Sequence, residues 1–183
     1  MCTARSARVA TTSCPHFSTR TLSSSTVRRS RPHAAASTGK ATPVRWSPFA
    51  DVAALFTRVR QDDWTIVIAI SGQSEEVDPH LEKLGVRELV DAVTTAGDAE
   101  RTKPDPDIFA AALRKVGAEA ANAIVVGDSP YDITAATKLG IRTIAVRSGG
   151  FEDRTLMEAG AVAIYDNPAD LLARYDASLL ASG

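Results

Sequence analysis

Hydrophobic positions fall into a repeating pattern from about residue 50 onward. Val52, Leu55, Phe56 and Val59 recur at helical spacing and predict an amphipathic helix. The run TIVIAI (65–70) is apolar throughout and β-branched, as expected of a strand buried on both faces of a parallel sheet. The unit then repeats. A helix over about 75–84 closes at Gly85 and a short strand follows near 89–95. A helix from about 106 carries Ile108, Phe109, Ala112, Leu113 and Val116 on one face, closes at Gly117 and leads into the strand AIVV (123–126). A helix over about 131–139 closes at Gly140 before TIAV (143–146). A weaker one closes at Gly160 before AVAIY (161–165), and a last helix starts near 168. Glycine just beyond a helix end takes the left-handed backbone that satisfies the final carbonyls. Strands and helices alternating in this way predict an α/β fold, a Rossmann-like open parallel sheet with helices on both faces. Ligands of such sheets bind at the C-terminal ends of the strands.

Residues 1–46 lack this pattern. The stretch is rich in Ser, Thr, Arg and Ala and shows neither period with enough apolar mass to bury, so it is expected to be disordered. Charge marks the same boundary. Residues 1–46 hold eight Lys or Arg and no Asp or Glu, whereas residues 47–183 hold 13 basic and 22 acidic residues, a charge of −9. The division is therefore a basic segment over 1–46 and an α/β core over 47–183. An organelle transit peptide, a basic tail for an acidic partner, and a stretch foreign to the natural protein through a wrong start or shifted frame all fit the first segment. It has no apolar core of signal-peptide length.

The whole chain of 183 residues carries a net charge of −1, which gives no overall pull toward nucleic acid, and its longest apolar runs are too short to span a membrane. Cys2 and Cys14 are the only cysteines and both precede the core. No disulfide framework is expected there, and a reducing, cytoplasmic setting is the default.

Three strand-end loops carry candidate chemistry. Ser71-Gly72-Gln73-Ser74 follows the first strong strand; a hydroxyl and backbone N–H groups there suit a phosphate oxygen. The plainer reading makes Ser71 a turn residue and Ser74 a helix cap. In Lys103-Pro104-Asp105-Pro106-Asp107 the proline restricts the residue before it and aims the ammonium of Lys103; a solvated lysine is the plainer reading. In Gly127-Asp128-Ser129-Pro130-Tyr131-Asp132 the carboxylates Asp128 and Asp132 offer hard oxygen ligands for Mg²⁺, or simply favour a helix start. All three loops lie on one edge of the predicted sheet, a conjunction more specific than any one of them.

In that order, VIAIS with Ser71, TKPDPDIF with Lys103, and VVGDSPYD with Asp128 and Asp132, residues 47–183 resemble the haloacid dehalogenase superfamily of hydrolases, most of them phosphatases. The resemblance implies Mg²⁺-dependent phosphoryl transfer from a small phosphorylated substrate to water. It implies that Ser71, with Gly72, binds the phosphoryl oxygens, that Lys103 offsets their charge, and that Asp128 and Asp132 hold Mg²⁺. The family's nucleophile is the first Asp of an Asp-x-Asp motif on the first, central strand. No Asp precedes Asp51 in this chain, and Asp51 lies in the first predicted helix. The expectation is thus a core of this type without its central strand and cap, inactive for want of the nucleophile. RVATT (8–12) is the nearest approach to a strand and a poor one. Two apolar strands would then face a gap open to a partner or a second copy. A non-catalytic binding or regulatory module built on the remnant core is the alternative.

Overall fold

The computed structural model describes residues 9–12, 48–71 and 77–181. Six strands form one parallel sheet: β1 (Val9–Thr12), β2 (Thr65–Ala69), β3 (Ala92–Thr94), β4 (Ala123–Gly127), β5 (Arg142–Val146) and β6 (Ala163–Tyr165). Their order across the sheet is β3-β2-β1-β4-β5-β6. The helices are α1 (Pro48–Gln61), α2 (Val77–Leu84), α3 (Asp107–Val116), α4 (Pro130–Thr137), α5 (Asp153–Glu158) and α6 (Pro168–Ala173).

Alternate strand residues serve opposite faces, as the period of two requires. Ile66, Ile68, Ile124, Val126 and Ile144 pack with Leu55, Phe56 and Val59 of α1, Leu81 of α2 and Leu171 of α6. Val67, Ala69, Ala123 and Val125 point the other way, onto Ile108, Phe109 and Ala112 of α3 and Ala135 and Ala136 of α4. The indole of Trp64, just ahead of β2, is buried and donates from Nε1 to the Leu180 carbonyl at 3.0 Å, which ties the C-terminal end to the first helix–strand unit. The four helix-terminating glycines behave as their positions predict, each at positive φ; Gly117, at 65°, directs its N–H back to the carbonyls of Leu113 and Arg114.

The expected α/β class is therefore present, with one correction. The central position is filled. Val9–Thr12 lies between β2 and β4, with Val9 level with Thr65 and Ala123, and Thr12 level with Ile68 and Val126. Val9 is fully buried on the α3 face and Ala10 on the α1 face, and Thr11 is 2% exposed. The four residues succeed because three of them, Val9, Thr11 and Thr12, have β-branched side chains that suit a strand whatever their polarity, and neighbours on both sides supply the hydrogen bonds. The gap predicted to invite a partner does not exist, and the expectation of disorder over 1–46 fails at 9–12. Its remainder, both cysteines, and the region where a cap would be inserted lie outside the described residues. Among the described residues no helix is long and apolar enough to cross a membrane.

Candidate active site

Of the predicted residues, Ser71 and Asp128 sit where their strands end. Ser71 follows β2 and is exposed; the N–H of Ile70 just before it donates to the Thr94 carbonyl at 2.9 Å and fixes the strand end. Gly72 and Ser74 lie outside the described residues. Lys103 belongs to the loop before α3 and follows the Ala96–Asp98 turn after β3; the Lys103–Pro104 peptide is cis. Asp128 directly follows β4 and Asp132 stands in the first turn of α4.

The loops converge as expected, and the structure adds how. Lys103 Nζ lies 2.6 Å from Asp132 Oδ1, with only 10% of the lysine side chain and 3% of the aspartate side chain accessible. The ammonium also sits 5.4 Å from the centre of the Phe109 ring, close enough for a favourable cation–π contact. The other carboxylate oxygen, Oδ2, accepts a hydrogen bond from the Ser129 hydroxyl at 2.7 Å, while that hydroxyl oxygen accepts from the Asp132 N–H at 3.3 Å. Ser129 is thus the cap of α4, with Pro130 at the first helical position, where its missing N–H costs nothing. Lys103 and Ser71 line one small cleft together with Ala96, Ala99, Arg101, Thr102 and Ile108.

This geometry separates two carboxylates that the spacing had paired. Asp132 is engaged on both oxygens by groups of the chain itself, so it holds the lysine in place. Asp128, 7% exposed, stands at the end of β4. Among the described residues no set of three His, Cys, Asp or Glu side chains gathers to hold a metal ion. Mg²⁺, however, commonly binds through one or two carboxylates and completes its shell with water and substrate phosphate. By its chemistry Asp128 fits as the first of those carboxylates.

Ser129 was legible as the serine of a Ser-Pro helix start. Two further contributors had no such signal. Gly127 lets Asp132 fold over the end of β4: a Cβ there would lie 2.8 Å from the Asp132 Cβ. Gly149, in the turn after β5, is pressed against the Asp128 backbone, and a Cβ would lie 2.0 Å from the Asp128 carbonyl oxygen. Its turn is anchored by Arg147, whose guanidinium forms a two-pronged pair with Asp153 at 2.7 Å for each contact and a further pair with Asp166. Only the dipeptide Gly149-Gly150 after a predicted strand hinted at the close approach.

Comparison with known proteins agrees with the fold. A family model described as haloacid dehalogenase-like hydrolase matches residues 20–146. The phosphoglycolate phosphatase of Rhodospirillum rubrum is 35% identical over 91 residues, 50% of this chain and 37% of that protein. The pyrophosphatase PpaX of Bacillus cereus is 36% identical over 94 residues, 51% of this chain and 42% of that protein. Among solved structures, a hydrolase from Pseudomonas syringae superimposes with a TM-score of 0.64 at 31% identity, covering 69% of this chain and 60% of that one. The chain spans about two fifths of the length of the two curated relatives. With the family model matched over most of its length and the parallel sheet and strand-end loops in place, the chain belongs to the haloacid dehalogenase-like hydrolases.

Proposed function

We propose that this chain retains the phosphate-binding half of a Mg²⁺-dependent phosphatase site and does not itself hydrolyse phosphate esters. The observation that carries the reading is the buried Lys103–Asp132 pair, with Ser71 on the same cleft as the lysine. Phosphoryl transfer depends chiefly on positioning and on offsetting charge that builds on the equatorial oxygens. Lys103, held by Asp132 and backed by Phe109, presents its ammonium at a fixed point instead of searching for it. The Ser71 hydroxyl donates to a phosphoryl oxygen. Asp128 would hold Mg²⁺, which, when bound, draws charge from the phosphoryl oxygens. The curated relatives named for phosphoglycolate and pyrophosphate hydrolysis support a phosphorylated small molecule as the ligand.

The lack of turnover follows from the central strand. β1 occupies the position from which the nucleophile would be presented, and no Asp or Glu occurs anywhere in the first 50 residues. A carboxylate nucleophile and its acid/base partner are therefore not supplied from that side. A non-catalytic binding role would use the same cradle, and retention of the ligand without turnover is what distinguishes it from an enzyme. Lys103→Ala is expected to weaken binding of inorganic phosphate, titrated calorimetrically with Mg²⁺ present, by about tenfold or more, the effect of losing a hydrogen bond to a charged group. Equal phosphate affinity in the two proteins would remove Lys103 from the site.

A further inference from the structure

We infer that Tyr131 and Phe151 form the surface that receives the organic portion of a phosphate monoester, and that they select for a flat, ring-shaped group. The inference rests on the phosphate reading above and adds the class of ester.

Both residues are carried by segments fixed to Asp128. Tyr131 lies three positions beyond it, in the first turn of α4 and next to Asp132. Phe151 comes directly after Gly149-Gly150, and Gly149 is seated on the Asp128 carbonyl. The rings meet edge to face, with centroids 6.4 Å apart and planes at 86°. That is a favoured aromatic geometry, so each ring holds the other's orientation. Phe151 is half-buried against the α5 cluster, whereas Tyr131 is 56% exposed.

Among the described residues the large exposed hydrophobics are Tyr131, Met157 and Val162. Met157 lies toward the end of α5 and Val162 just ahead of β6, so both belong to the opposite, N-terminal edge of the sheet. Tyr131 alone is on the edge where Ser71, Lys103 and Asp128 gather. A phosphoryl group held by those three must direct its ester oxygen and carbon portion outward from that edge. An oriented aromatic ring there offers a stacking face to a ring and little to a linear polar chain.

The test compares inorganic phosphate with phenyl phosphate, each titrated into the full chain with Mg²⁺ by calorimetry. Phenyl phosphate is expected to bind about fivefold tighter than phosphate, in proportion to one aromatic contact. Tyr131→Ala is expected to abolish that preference, and Tyr131→Phe to keep it. Phenyl phosphate binding no tighter than phosphate, or a preference unchanged in Tyr131→Ala, overturns the inference while leaving the phosphate site standing. If neither ligand binds, the phosphate reading fails and the inference falls with it. A retained Tyr131→Ala melting temperature confirms that any lost preference is not a folding defect.

Discussion

Val9→Asp is expected to abolish cooperative folding. Val9 is fully buried in the central strand, among Val67, Ala69, Ile108, Phe109 and Val125. An aspartate there meets apolar side chains, and a buried unpaired charge costs several kcal/mol even after the group shifts toward its neutral form. A loss upward of about 4 kcal/mol would consume most of the stability of an ordinary domain. The check is a urea titration followed by circular dichroism, with Val9→Ala as the milder companion, expected to lose about 1–2 kcal/mol by removal of two buried methyl groups. A Val9→Asp protein that melts like the parent would mean that residues 9–12 do not complete the sheet, and the gap between β2 and β4 would be open after all.

Asp132→Ala is the second large effect. It leaves the Lys103 ammonium buried with its carboxylate partner gone, and breaking a buried pair from one side costs about 3 kcal/mol or more. Replacing both partners with apolar residues, Lys103→Met with Asp132→Leu, is expected to recover much of that stability, because no lone charge remains. The same single substitution should also weaken phosphate binding, since the ammonium is no longer held in place. Chemical denaturation of the two variants separates the outcomes. An Asp132→Ala loss below about 1 kcal/mol would show that the pair behaves as a surface ion pair.

The alternation of helices and strands was legible because the apolar runs are β-branched and four of the six described helices are followed closely by glycine. TIVIA and AIVVG are buried throughout or nearly so, as a sheet covered on both faces demands. The central strand was not legible for the converse reason. It has four residues, two of them threonine, inside a Ser/Thr/Arg-rich stretch, and it is stabilised by strands on either side that sequence proximity does not reveal. The site residues were readable as strand-end chemistry, yet their pairing was not. Lys103 and Asp132 are 29 positions apart, and only the fold shows that Asp132 faces the lysine and Ser129. The close seat of Gly149 on Asp128 is likewise a property of backbone approach, which side-chain patterns do not encode.

The central claim is a phosphatase-family site that binds without turning over. Its most direct measurement is release of phosphate from p-nitrophenyl phosphate by the purified chain, with and without Mg²⁺. The account predicts no Mg²⁺-dependent release above the buffer rate, in a protein that still binds phosphate through Lys103. Turnover that requires Mg²⁺ and disappears in Asp128→Asn would contradict it, and would mean that the chain supplies a nucleophile other than a carboxylate on its central strand.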